Sequence, residues 1–162
     1  MKSMEDLFHA VLQDVYFAEK QLLKALPKMA KKASNEKLAN AFLKHRDQTE
    51  GQIERLDKAF DMIGKKPKGK KCEAILGVIA EGEEVIEEAE DDEVLDAGLI
   101  AAAQAAEHYE IARYGTLCAW AQQLGKPQLA RLLHQTLEEE KQTDELLTKI
   151  AETSVNQAAM SA

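Results

Sequence analysis

Four stretches of this chain repeat apolar residues in alternating steps of three and four, and each breaks that rule near its middle. Such steps return side chains to one face of an α-helix, so each stretch reads as a helix with one buried seam. The first seam is Phe8, Leu12, Val15, Leu22, Leu26 and Met29, with Glu19 on the same stripe. The second is Leu38, Phe42, His45, Thr49, Gln52, Leu56, Ala59 and Ile63. The third is Leu99, Ala103, Glu107, Glu110, Tyr114, Leu117 and Ala121. The fourth is Leu129, Leu133, Thr136, Glu140, Thr143, Leu147 and Ile150. An uncompensated carboxylate in an apolar interior is costly, so a seam interrupted in this way needs partners interrupted at the same height.

The breaks between these runs are written in turn residues. Gly64, Pro67 and Gly69 end the second helix, and Gly125 and Pro127 separate the third from the fourth. Ser34 is a candidate N-cap for the second helix, and Pro27 should kink the first near Leu23. The chain has 162 residues, enough for one domain with a sizeable core. Strong helix formers dominate, and no stretch alternates with the period of a strand. The expected fold is all-α, one four-helix-bundle domain over residues 1–152, with a small polar tail over 153–162 that should fray.

The two helix pairs are also versions of each other. Glu19 precedes Leu38 by the same 19 residues that separate Glu110 from Leu129. In that register Leu38, Phe42, His45, Thr49, Gln52 and Leu56 fall on Leu129, Leu133, Thr136, Glu140, Thr143 and Leu147. Two helical hairpins are thus joined by a long connection over residues 64–92, which carries a shorter helix from about Cys72 to Glu90. A connection of that length can return the chain along the bundle, as the crossover of ferritin-like folds does. Its acidic end, Glu87 to Glu93, reads as a solvated face and a helix start.

Stacking the seams brings Glu19, Glu107, Glu110 and Glu140 to one level, with His45 and Gln52 beside them and Asp144 at i+4 from Glu140. Several carboxylates cannot share an interior without protons or cations. A divalent pair, iron or manganese, suits oxygen donors with a minority of imidazole. Thr49, Thr136 and Thr143 are expected to bond back to the preceding turn. Tyr16 and Tyr114 are expected to pack, with hydrogen bonding to the polar layer as the alternative. His9, His108 and His134 lie off the seams.

The net charge of −8 disfavours a nucleic-acid-binding surface for the domain as a whole. The basic run Lys65 to Lys71 reads as a solvated loop. No apolar stretch approaches the roughly 20 residues of a membrane span, and no leader is visible, so a cytoplasmic protein is expected. Cys72 and Cys118 stand in no motif; they form either a lone disulfide or, the reading preferred for a cytoplasmic chain, reduced core residues.

Several segments together resemble one family. Met4-Glu5-Asp6-Leu7-Phe8, Tyr16-Phe17-Ala18-Glu19-Lys20-Gln21-Leu22 and Gly51-Gln52-Ile53-Glu54-Arg55-Leu56 are similar to the YciE/YciF family of bacterial ferritin-like stress proteins. So are Lys70-Lys71-Cys72-Glu73-Ala74, Glu107-His108-Tyr109-Glu110-Ile111-Ala112 and Glu139-Glu140-Lys141-Gln142-Thr143-Asp144. The resemblance implies a ferritin-like bundle, a homodimer, and an association with stress responses. It also implies a diiron-like or dimanganese-like site related to that of rubrerythrin, which handles a small oxidant such as peroxide or oxygen. Such sites take one Glu from the first helix, Glu-x-x-His from the second, Glu-x-x-Glu from the third and a Glu with a nearby His from the fourth. Glu19, Glu107, Glu110 and Glu140 match. On the second helix Gln48 and Gly51, or Thr49 and Gln52, occupy the motif, with His45 one turn away; on the fourth, Asp144 stands where an imidazole would. Two other readings follow from these departures: a non-enzymatic dimeric interaction protein whose polar layer fixes register, and, ranked below it, iron storage.

Overall fold

The structure, a computed structural model, describes all 162 residues. Three of the four long helices begin where a short polar side chain accepts from otherwise orphaned backbone N–H groups. Ser3 caps α1 (Met4–Lys32), Asn35 caps α2 (Glu36–Met62), and Asp91 caps α4 (Asp92–Gln123). Between the hairpins lies α3 (Glu73–Glu88), and α5 (Pro127–Ile150) starts on the proline expected at its first turn. Gly64 and Gly125 close α2 and α4 with φ of 67° and 69°, a region that a Cβ disfavours. No strand is present, and the fold is the all-α bundle that the seams require.

α1 packs on α2, α4 on α5, and the hairpins meet through α2 with α5 and α1 with α4. α3 lies over α1 and α4. Its approach to α4 depends on Gly98, where an added Cβ would come within 2.3 Å of Val85 Cγ1. The apolar interior has two large cores and a smaller cluster, Ala18, Leu22, Cys72, Ile75 and Ala106, beneath α3. One core, with Phe8, Leu12, Leu56, Phe60, Leu117 and Leu133, fills one end; another, with Leu26, Leu38, Phe42, Leu99 and Leu147, fills the other. The polar middles of the seams lie between them, all buried.

One local expectation needs correction, the N-cap of α2, and two others gain detail. Over the tail, Ala151–Val155 forms a π-helical turn, α6 (Asn156–Ala159) follows, and Val155 is buried in the second core. A small apolar side chain at 155 found a vacancy that tail composition could not reveal. The N-cap of α2 is Asn35 rather than Ser34, because Ser34 is engaged elsewhere. Asp96, buried on α4, accepts from the Ser34 amide at 2.9 Å, the Ser34 hydroxyl at 2.6 Å and the Asn35 amide at 2.8 Å. Pro27 lies inside α1, which continues through it to Lys32.

Asp96 thus fastens the start of the second hairpin to the turn of the first. Replacing it removes the only acceptor recorded for three donors, two of them backbone amides. Hydrogen bonds to a charged acceptor contribute roughly 1.5–3 kcal/mol each but are not additive. Asp96→Ala should lower stability in urea denaturation by about 3 kcal/mol, and a value within error of the wild type would show that the turn is held by packing alone.

Candidate metal centre

The layer between the two cores is built by all four long helices. α1 contributes Glu19, α2 His45 and Gln52, α4 Glu107 and Glu110, and α5 Glu140. Every one is almost completely removed from solvent. One donor atom from each of His45, Glu107, Glu110 and Glu140 lies within 4.8 Å of the others. His45 Nε2 is 2.7 Å from Glu107 Oε1 and 3.9 Å from Glu140 Oε2. Glu19 adjoins this group and accepts from the Tyr114 hydroxyl at 2.5 Å.

Tyr114 is therefore a hydrogen-bond donor to the layer, the alternative named for it above. Tyr16 reaches away from the layer and donates to Asp57 at 2.9 Å. Thr49 bonds back to the His45 carbonyl at 2.8 Å, as a helical threonine does. Thr136 and Thr143 do not follow that expectation. Thr136 accepts from Arg55 at 3.1 Å, and Thr143 donates to Gln48 at 3.5 Å.

Asp144 is not brought into the four-residue group. Gln104 donates to its carboxylate at 3.1 Å, and His108 lies 3.0 Å from its other oxygen. It stands at the rim, partly exposed, beside an exposed imidazole. Gln52 is held from outside: its amide nitrogen donates to Glu139 at 3.1 Å, leaving its own oxygen buried and without a partner. Glu139 also takes a two-pronged ion pair from Arg55, at 2.8 and 2.6 Å. The seams could not show Arg55 and Glu139, because both lie off the buried stripe. The signal available was adjacency: Glu139 precedes Glu140, and Arg55 lies one turn beyond Gln52.

The electrostatics follow from crowding. Burial pushes Glu19 up to about 8, reinforced by the Glu140 charge and opposed by the Tyr114 hydrogen bond. Burial likewise pushes Glu107 up to about 7. Glu110 and Glu140 are raised well above the carboxylate range by burial, with neighbouring carboxylates adding to it. Burial also raises Tyr114, with Glu19 and Glu110 adding, so its hydroxyl keeps the proton that it donates. Glu139 is the contrast: burial works to raise it, but Arg55 and Gln52 hold it below its ordinary value.

Eight buried side-chain atoms in this layer lack any hydrogen-bond partner. They are Nδ1 of His45, Oε1 of Gln52, one oxygen each of Glu19 and Glu107, and both oxygens of Glu110 and of Glu140. Native interiors rarely leave such atoms unpaired, and a site for an ion or shared protons is one accepted reason. One donor atom from each of Glu107, Glu110, Glu140 and His45, three oxygens and one imidazole nitrogen, suits a hard or borderline divalent cation. The residues present fit such a group. Cys72 and Cys118 are free and outside the layer; Cys72 Sγ meets the Tyr109 hydroxyl at 3.0 Å.

Comparison with known proteins agrees with this architecture. Residues 3–160 match the family described as a domain of unknown function, DUF892. Protein YciF of Escherichia coli is 54% identical over 160 residues, 98% of this chain and 96% of its own. The crystal structure of that E. coli stress protein covers 96% of this chain and 99% of its own, with a TM-score of 0.92. YcfI of Rhodopseudomonas palustris is 49% identical, covers 91% of this chain and 94% of its own, and has a TM-score of 0.89. With its sequence matched nearly from end to end and its bundle superimposed on these relatives, this chain belongs to the DUF892 family.

Proposed function

We propose that the protein binds divalent metal, iron or manganese, in the layer between its two cores and serves as a stress protein that handles a small oxidant. The observation that carries the reading is the convergence of His45, Glu107, Glu110 and Glu140, all buried, with one donor atom of each within 4.8 Å of the others. His45, Glu107, Glu110 and Glu140 would hold the metal, with Glu19 and the Gln52 oxygen completing the surroundings. Bound metal would supply Lewis-acid polarisation of an oxygen-containing molecule. The stress role is drawn from the E. coli relative, which is a stress protein.

The chain's own residues have definable duties. Tyr114 orients Glu19 through its hydroxyl, and Glu139 orients Gln52 through the amide nitrogen. Arg55 neutralises Glu139, so that carboxylate adds no further repulsion to the layer. His45 Nε2 and Glu107 Oε1 lie 2.7 Å apart, a hydrogen-bonding contact that holds both side chains where they would ligate a cation. The two apolar cores exclude water on either side.

A second reading deserves a measurement because the second helix brings one imidazole, His45, and no carboxylate to the layer. In that reading, protonated carboxylates alone fix helix register, a role buried polar groups fill in some proteins. Metal analysis of protein produced in iron- or manganese-supplemented medium separates the two. The metal reading expects stoichiometric metal that Glu110→Ala and Glu140→Ala abolish. Wild-type protein that stays empty in both media, and gains no thermal stability from added iron or manganese, would establish the register reading instead.

Protons and metal also make opposite demands on pH. Glu19 and Glu107 have folded values of about 8 and about 7, above the ordinary 4.5 of an exposed Glu. The folded state therefore retains protons that the unfolded chain has released. The stability tied to these protons is intact below about 4.5 and is lost as the pH rises through about 7 to 8. Metal-free protein should accordingly show a falling urea midpoint from mildly acidic to mildly alkaline pH. In saturating metal the fall should vanish or reverse, since cations replace the protons. A metal-free midpoint that climbs across this window would contradict the charge assignment of the layer.

A further inference from the structure

A slot of about 50 Å³ lies beneath α3, between α1 and α4. Leu22 and Leu26 of α1, Ile79 of α3 and Ala103 of α4 form its walls. Lys28 and Glu83, both exposed, stand at its outer edge. Its lining also includes His45 and Glu107, the pair that meets at 2.7 Å in the polar layer. Both are almost fully buried, and His45 Nδ1 and Glu107 Oε2 have no partner. An apolar passage thus runs from the surface beside α3 to one edge of the carboxylate layer.

We propose that this slot admits and holds a small apolar molecule, of which dioxygen is the member with oxidising chemistry, at the His45–Glu107 edge. What dioxygen would do there rests on the metal-binding reading; its lodging in the slot does not. Size argues first. The space is a few times the roughly 10–15 Å³ that admits one water, and far below the roughly 300–1,000 Å³ of pockets for larger organic ligands. Chemistry argues second. Hydrogen peroxide carries two O–H donors, and stripping a hydroxyl of its hydrogen bonds against an apolar wall costs roughly 2–7 kcal/mol. Dioxygen donates none and avoids that cost.

The arrangement of the two flanks supports the same assignment. Between α2 and α5 the layer is closed by Gln52, Arg55 and Glu139, a hydrogen-bonded net of polar and charged side chains. Between α1 and α4 it is closed by α3, whose Ile75 and Ile79 face the bundle. Gly82 of α3 lines the slot, and a Cβ there would meet the Ala102 methyl at 3.2 Å. The crossover helix is thus the outer wall of an apolar passage as well as a connection.

Xenon is an inert probe for such a space, since apolar cavities stay dry and take it up. Crystals of metal-free protein under xenon pressure should show an anomalous peak between Ile79 and Ala103. Wild-type crystals with no xenon there, or with ordered water filling the slot, would overturn the proposal. Half-buried Ile79→Phe should remove the peak while leaving the melting temperature close to wild type. In ferrous-loaded protein the same substitution should slow oxidation by dissolved dioxygen several-fold and leave oxidation by hydrogen peroxide unchanged. Equal slowing by both oxidants would overturn the choice of dioxygen. Should Ile79→Phe fail to fold, the wild-type map decides alone. Xenon in the slot of a protein that takes no metal would sustain the slot and refute the metal reading.

Discussion

Carboxylates leave water together only if something neutralises them, and the bundle is arranged around that constraint. Glu19, Glu107, Glu110 and Glu140 occupy one level with His45 as the only basic group among them. Protons or cations must supply the positive charge. Apolar cores above and below the level withhold water that would otherwise screen it. Arg55 is kept to the flank, paired with Glu139, so it does not cancel the charge inside. The polar layer is consequently held without solvent or a fixed internal counter-charge.

Much of this was legible in the sequence because helices are periodic. Glu19, His45, Gln52, Glu107, Glu110 and Glu140 sit on seams otherwise occupied by Leu, Phe and Ala, and periodicity alone places them inside. The repeated hairpin then brings them to one height. Side chains off the seam obey other rules. Asp144 is one turn from Glu140 on the same helix, yet Gln104 and His108 of α4 hold it at the rim. Asp96 owes its role to the turn of the other hairpin, which gives it three donors. Val155 is buried because neighbouring elements leave room for it. Such outcomes depend on tertiary neighbours, and no single helix encodes them.

The repeat also shows how one scaffold holds unlike chemistry in its halves. Glu19 and Glu110 occupy equivalent positions and both remain carboxylates. His45 and Thr136 are equivalent, as are Thr49 and Glu140, and in each pair only one can bind metal strongly. The halves therefore share a backbone plan and divide the polar work unevenly. The crossover helix adds to that asymmetry, since it covers the α1–α4 side and has no counterpart between α2 and α5.

Asp96 joins these halves at one end, and the carboxylate layer joins them in the middle. Each hairpin consists of near neighbours in the chain, the kind of contact that forms fast. The second hairpin brings Glu107, Glu110 and Glu140 to the junction, against Glu19 from the first. Until the hairpins meet, water can solvate those groups; once they have met, it cannot. Dehydration of the layer and docking of the halves are therefore one event, and its completion depends on the supply of protons or cations at that moment. The chemistry of the centre is thereby written into the order of assembly, with the ionic surroundings of the newly made chain acting as a participant in its folding.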